Sequence, residues 1–391
     1  MERILIVNNN MHIGGVQKAL VSLLWTIREQ YDVTLLLFCK DGECYSDLPP
    51  DVQVINTGSA FRFLGMSGQN AHNVWDKLCR GFFAAITRMF GRKCAVALMS
   101  LGQKKIKGYD VAISYLHNAG DKTFYGGCND FVLKHVDARR KVAFLHCDYV
   151  RSGANTPNNN KMYAQFDAIA ACSQGCMDSF VGVNPDLRGK IFVVPNCHRF
   201  DQIQEKAKAE AIAFPQETVN IVTVARLGKE KGVERAVRAV VRLKQERSDF
   251  HYYIIGDGIQ KEEIQRMIRQ EGLSDCVTLL GEKSNPYGYL KAADLLWIPS
   301  YSEAAPLVIG EAVCLGTPIL STETSSAKEM IEKTGYGWVC ENTEDAMVMR
   351  LKQILMNRTV LDTMKKRLRT VTSSNAAALE AFGSLLGELS K

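Results

Sequence analysis

Residues 3–39 alternate in a way that a parallel β-sheet accommodates and few other arrangements do. Arg3–Asn8 is a short, mostly apolar run, Gly14-Gly15 follows, and Val16–Glu29 carries Leu20, Leu23, Leu24 and Ile27 at helical spacing. A second apolar run, Asp32–Cys39, comes next. Strand, helix and strand in so short a stretch make a βαβ unit, which sets its two strands parallel. Further strands are expected at Val52–Asn56, Val111–Tyr115, Lys141–His146, Ala168–Ala171 and Ile191–Val194. The pattern then restarts with a strand over Val219–Ala225, a helix over Glu234–Glu246 and a strand over His251–Ile255. A helix near Glu262–Glu271, strands at Val277–Leu280, Leu295–Pro299 and Pro318–Ser321, and a helix over Tyr287–Ala292 continue it.

At 391 residues the chain is long for one core. It reads as two α/β, Rossmann-like domains facing a central cleft, residues 1–200 and 201–372. The joint is expected between Asn196 and Thr218, and a last helical segment over 373–391. Ligands of such folds bind where the carboxyl ends of strands meet the amino ends of helices.

Twelve cysteines without C-x2-C pairs, in a chain that opens on a strand rather than a signal peptide, read as reduced and cytoplasmic. Cys172 and Cys176 have a spacing that hints at metal, but a buried helix explains it better. No apolar run reaches the roughly 18–20 residues that span a bilayer. A net charge of +6 is mild and local, and no nucleic-acid reader motif accompanies it.

The run Ser300-Tyr-Ser-Glu303-Ala304-Ala305-Pro306-Leu307-Val-Ile-Gly-Glu311 sets two carboxylates eight residues apart across a strand-to-helix junction. Pro306 suits a first helical position, Gly316 suits the residue past the end, and Pro318 forbids continuation. The free N–H groups near Ala304–Leu307 form an anion site. Glu311 lies about 7–8 Å along that helix, close to the span from a diphosphate to a ribose. Glu303 falls on the other side of the phosphates, within reach of sugar hydroxyls.

This run resembles the E-x7-E signature of retaining glycosyltransferases of family 4, which have the GT-B fold. The resemblance implies that Glu303 contacts the donor sugar and Glu311 the nucleotide ribose. Val224-Ala-Arg226-Leu-Gly-Lys-Glu-Lys231-Gly232 is similar to the family's R-x4-K-G element, in which both cations hold the donor diphosphate. An Arg fork and a Lys ammonium stabilise the leaving charge without a metal, and no D-x-D pair is placed to hold one. Met11-His12-Ile-Gly14-Gly15 resembles the family's glycine loop, where backbone approaches phosphate closely. His146 matches a strand-end His near the donor sugar and is the candidate for positioning the sugar or helping to deprotonate the acceptor. His117, Asp148 and His12 are lesser candidates, and His72, His135 and His251 read as surface or packing residues. Where most members have Gly after the first Glu, this chain has Ala304-Ala305, which resist positive φ. The C-terminal helix of such proteins commonly crosses back to the first domain, so 373–391 is expected there.

The resemblance implies transfer of a hexose from a nucleotide-diphosphate sugar, most readily a UDP-sugar, to a saccharide or lipid-linked acceptor in surface glycan synthesis. No cofactor is implied. A nucleotide-sugar epimerase or phosphorylase of the same fold and a non-catalytic nucleotide-sugar-binding protein remain as alternatives. Residues 76–107 hold Lys77, Arg80, Arg88, Arg92, Lys93, Lys104, Lys105 and Lys107 against the single acid Asp76, interleaved with Leu78, Phe82, Phe83, Ile86, Met89 and Phe90. Such a basic amphipathic segment either binds an anionic membrane surface, placing the protein on the inner face of the membrane, or packs its apolar stripe on the first domain.

Overall fold

A computed structural model describes residues 1–66 and 73–388. His72 and the last three residues of the expected C-terminal helix lie outside them. The chain divides into two compact units, Met1–Cys197 with the chain from Asn375 onward, and His198–Ser374.

In the first unit, β1 (Arg3–Asn8), β2 (Asp32–Leu37), β3 (Gln53–Asn56), β4 (Ile106–Ser114), β5 (Val136–Leu145), β6 (Ala168–Ala171) and β7 (Ile191–Val193) form one sheet. Their order is β3-β2-β1-β4-β5-β6-β7, every pairing parallel. Ile4 to Val7 of β1 are wholly buried because helices cover both faces. β4 and β5 each start several residues earlier than their apolar runs suggest. Their early halves carry Lys107, Gly108, Asp137 and Arg139, which are polar or exposed, yet the backbone pairs Ile106 with Val136. His146 falls one residue beyond β5 rather than ending it.

The helix Ala376–Glu388 belongs to this unit's core. Ala378, Phe382, Leu385 and Leu386 share one cluster with Ile4, Ile6, Leu24 and Ile27. Phe382 meets the edge of Tyr31 at 5.8 Å, and Arg140 donates to the Leu386 carbonyl at 2.8 Å.

In the second unit, β8 (Val219–Val224), β9 (Phe250–Ile255), β10 (Val277–Gly281), β11 (Leu295–Ile298), β12 (Ile319–Thr322) and β13 (Gly337–Cys340) form a second parallel sheet, ordered β10-β9-β8-β11-β12-β13. β13 was not anticipated. It is short and opens on Gly337, where a Cβ would come within 1.8 Å of the Ile319 carbonyl oxygen. In each sheet the first strand lies between the second and the fourth, so the order reverses there. In open parallel sheets, ligands bind at the carboxyl ends of the strands that flank such a reversal.

Phe382→Ala is expected to destabilise the protein by about 3–5 kcal/mol, as deletion of a buried aromatic does. Urea unfolding followed by far-ultraviolet circular dichroism measures it, and an unchanged midpoint would contradict the helix's place in the core.

Candidate functional site

The reversal in the second sheet lies between β8 and β11, and the two loops that leave their carboxyl ends touch. Gly232 has φ 62° and lies where a Cβ would come within 2.2 Å of the Pro299 carbonyl oxygen, so both conformation and space exclude other residues. Across this contact the Lys231 ammonium donates to both carboxylate oxygens of Glu303, at 2.7 and 2.9 Å. Ser300 Oγ donates to Glu303 Oε1 at 2.7 Å, and Ser325 Oγ to the Glu303 carbonyl at 2.7 Å. The pair is largely enclosed, with side-chain exposures of 24% for Lys231 and 10% for Glu303. Charge-assisted bonds in so little water hold both groups in one geometry.

Arg235 fastens the loop behind this pair. The residue is 2% exposed, and its guanidinium donates from Nε and Nη2 to the Pro299 carbonyl at 2.8 and 2.6 Å and lies over the Tyr301 ring at 3.8 Å. Burial lowers its pKa. The Tyr301 hydroxyl donates to Glu234 at 2.9 Å, its N–H to the Glu230 carbonyl at 2.9 Å, and Asn342 Nδ2 donates to its carbonyl at 3.1 Å. None of these residues was singled out in the sequence. The one available signal was that Arg235 follows Gly232 by a single helical turn.

The helix beyond Glu303 runs Leu307–Leu315, with Pro306 at the N-cap rather than at the first helical position, and no side chain caps it. Its leading N–H groups are therefore those of Leu307 and Val308, since the Ile309 N–H turns back to the Pro306 carbonyl at 3.2 Å. Gly316 closes the helix at φ 79°, as the sequence predicts. Among the described residues no non-glycine adopts positive φ, so Ala304 and Ala305 follow an unstrained path. Glu311 is buried and accepts from the Tyr287 hydroxyl at 3.5 Å. His198, unmarked in the sequence, packs so closely on this helix that a Cβ at Gly310 would come within 2.3 Å of its Nε2. Burial lowers its pKa to about 4.

Arg226 stands outside this cluster. It is 75% exposed and pairs with Glu230 at 2.6 Å, one turn away. Such an exposed pair contributes little to stability.

In the first unit, Gly14 is extended at φ −172° and Gly15 opens the first helix. A Cβ at Gly15 would meet nothing within 4 Å, and one at Gly14 would crowd the movable Gln17 amide at 2.7 Å and otherwise make ordinary contact with the His12 carbonyl at 3.9 Å. Neither position requires glycine for φ or for internal packing. His146 stacks against Tyr115 and Phe144 at 4.6 and 5.6 Å. Its Nε2 and the Nδ1 of His117 are buried without a hydrogen-bond partner among the described residues. Burial lowers the pKa of His146 to about 3, with His117 adding to the effect, and that of His117 to about 4. Both rings are neutral at pH 7. Asp148 is engaged by Ser179 Oγ at 2.7 Å and by the Arg151 N–H at 3.1 Å. Cys172 and Cys176 are buried, with sulfurs 3.7 Å apart.

Residues 76–107 do not form one continuous basic face. Arg80 is half-buried and donates to the Met66 carbonyl at 2.9 Å, and Arg92 is 2% exposed beside Asp130 at 3.5 Å. Phe83 stacks on Phe63 at 5.6 Å. No described helix is long and apolar enough to cross a membrane. Among the described residues no group of three or more His, Cys, Asp or Glu is placed to hold a metal ion.

Residues 204–372 match the family described as "Glycosyl transferases group 1". That match, lying within the second unit, carries the resemblance the motifs suggested. Among the relatives are the amylovoran biosynthesis glycosyltransferase AmsK of Erwinia amylovora and an N-acetylgalactosaminyltransferase of Campylobacter jejuni. AmsK is 34% identical over 147 residues, 34% of this chain and 36% of that protein. The Campylobacter protein is 28% identical over 221 residues, 56% of this chain and 58% of its own length. The match thus spans between about a third and three fifths of these relatives. Over whole chains, the structure is similar to Anabaena HepE in complex with UDP and glucose, with TM-score 0.69, 15% identity and 100% of both chains covered. It is also similar to Staphylococcus aureus TarM in complex with UDP, with TM-score 0.69, 11% identity, and 98% and 99% covered. At such identities the likeness is one of fold, and the fold is GT-B.

Because His117, His146 and His198 bind protons more readily unfolded than folded, stability is expected to fall as pH drops from about 6.5 towards 4. Thermal unfolding across that range measures it. His117→Gln with His146→Gln should flatten the slope, and an unchanged slope would mean these rings are not buried as described.

Proposed function

We propose that this chain is a glycosyltransferase that moves a hexose from a UDP-sugar to a saccharide or lipid-linked acceptor in surface glycan assembly, retaining anomeric configuration and using no metal. The observation that carries this reading is the Lys231–Glu303 pair, set at the strand-order reversal beside the uncapped amino end of the helix Leu307–Leu315. A fixed cation, helix amides and a fixed carboxylate together suit a sugar joined to a diphosphate.

In this reading Lys231 and the leading helix N–H groups of Leu307 and Val308 neutralise the diphosphate, with Ala304, Ala305 and Pro306 shaping the approach to them. Arg226 leaves its exposed partner Glu230 to join them, since a phosphate offers the guanidinium a bidentate match at small cost. Glu311 accepts from the ribose hydroxyls, and Glu303 from the sugar. Gly14 and Gly15, whose lack of side chains serves no need within the chain, are assigned to close backbone contact with phosphate. His146, neutral and with an unpartnered Nε2, is assigned to positioning a hydroxyl.

The acceptor hydroxyl attacks the anomeric carbon on the face from which the diphosphate departs. The carbon–oxygen bond to phosphate breaks, the new glycosidic bond forms, and the departing phosphate oxygen takes the hydroxyl proton. The charge it acquires is what Lys231, Arg226 and the helix amides stabilise. Support for UDP comes from the nucleotide in the HepE and TarM complexes. Support for a lipid-linked acceptor comes from the name of the Campylobacter relative, which specifies a diphospho-undecaprenol acceptor.

Lys231→Met and Glu303→Gln are each expected to lower transfer by about 10²–10³-fold, the scale set by loss of one charge-stabilising group. Each single change leaves one charge unpaired and lowers stability. The double variant should regain stability without regaining activity. Sugar transfer assays with magnetic-resonance assignment of the product anomer measure both points, and wild-type turnover in either single variant would overturn the assignment. In a thermal-shift panel of UDP-, GDP- and ADP-sugars, the UDP-sugar at a hundred times its Kd should stabilise by about 2.7 kcal/mol.

A further inference from the structure

The helices Val74–Phe90 and Arg92–Met99 hold out an apolar stripe that nothing among the described residues covers. Trp75, Leu78, Phe82, Ala85 and Met89 recur at spacings of three and four, which sets them along one face. Trp75 and Met89 are 70% exposed, Leu78 60% and Phe82 57%. This is not the face by which the helix joins its unit. That face, about 140° away around the helix, carries the buried Asp76, Phe83 and Thr87, with Asp76 bound by Arg62 at 2.8 Å. Val74, Phe90, Leu98 and Leu101 extend the exposed apolar surface. Of seventeen large apolar side chains standing exposed among the described residues, eight lie between positions 74 and 101, so this is a patch and not ordinary scatter.

The charge along the segment beside it is almost wholly of one sign. Lys77 and Arg88 border the stripe along the helix, and Lys93, Lys104 and Lys105 follow, all exposed, while Lys107 pairs with Asp137 at 3.8 Å. The single acid of the segment, Asp76, is turned inward. A second copy of this chain would meet the patch across a two-fold axis with its own matching cations, which repel. An anionic surface answers both features at once. Apolar and aromatic side chains enter the boundary between headgroups and acyl chains, while the flanking Lys and Arg reach the phosphates. At seventeen residues the longer helix is about 26 Å long and lies in the plane rather than crossing it.

We propose that the exposed face of these two helices, led by Trp75, Leu78, Phe82, Met89, Lys77 and Arg88, docks the protein on an anionic lipid bilayer. Arg80, Arg92 and Phe83 take no part, because the fold has already engaged them. The proposal is independent of the donor site.

Co-sedimentation of the full chain with vesicles of phosphatidylcholine alone, or mixed with phosphatidylglycerol, tests it. The wild type should bind the mixed vesicles and not the neutral ones, with affinity falling as salt rises. Lys77→Gln with Arg88→Gln should weaken binding at least tenfold, at about fivefold per base. Phe82→Ser with Met89→Ser should abolish it. All four side chains are exposed, so melting temperature and the UDP-sugar thermal shift should stay unchanged, which separates failure here from failure of the donor site. Equal binding to neutral vesicles would overturn the proposal, as would undiminished binding by the Phe82/Met89 variant. So would a dimer in sedimentation equilibrium that this variant dissolves while vesicles go unbound.

Discussion

Every strand pairing in both sheets is parallel, so each strand is reached by a crossover and each carboxyl end releases a loop on the same edge. In the second unit the chain lays down β8, β9 and β10 outward in one direction and then returns to place β11 on the other flank of β8. That return is what brings residue 231 next to residue 303. The contact spans 72 positions of sequence and rests on no local preference. Chemistry at this edge is therefore a consequence of strand order. A different order with the same loops would leave Lys231 and Glu303 apart.

Holding the two loops together has a cost that the structure shows openly. Arg235 is a buried cation whose compensation comes from the Pro299 carbonyl, a weaker contact with the Asn342 carbonyl and the face of Tyr301, rather than from a carboxylate in direct contact. Such a group contributes little net stability, because desolvation opposes its bonds. It does fix where Pro299 sits, and through Ser300 and Tyr301 where Glu303 sits. Gly232 completes the arrangement by letting the other loop approach that same carbonyl. One backbone oxygen is thus the point on which the site's geometry turns, and Lys231 and Glu303 are placed from opposite sides of it.

The apolar runs marked the strands because parallel strands covered on both faces are buried nearly throughout and so mostly apolar, as β1, β8 and β11 are. The same rule concealed the early halves of β4 and β5, where polar residues pair through backbone and through the ion pairs Lys107–Asp137 and Arg139–Asp110, while the edge strand β13 escaped because it is four residues long and opens on Gly337. Helix signals located Leu307–Leu315 to within one residue, since Pro306 and Gly316 act through φ, which sequence fixes directly. Burial of charge was illegible. Arg235 reads as part of a solvated helical face, and Arg80 and Arg92 read as part of a basic stripe, until the partners that enclose them are known. Those partners, Pro299, Met66 and Asp130, lie far away along the chain. His198 was missed for the same reason, since its neighbour is Gly310.

Ala304 stands where most of the resembled glycosyltransferases have glycine, Ala305 follows it, and the backbone of neither needs positive φ. The loop is therefore not held by glycine's freedom. It is held at one end by the Ser325 bond to the Glu303 carbonyl and at the other by Pro306 at the helix cap. A loop fixed in this way keeps its amides in place while carrying two methyl groups that glycine would lack. Those methyls follow directly on Glu303, the carboxylate that the proposed function assigns to the sugar, so that proposal makes this junction a place where donor sugars could be told apart. The Glu303 carboxylate itself is placed by the bonds it accepts from Lys231 and Ser300.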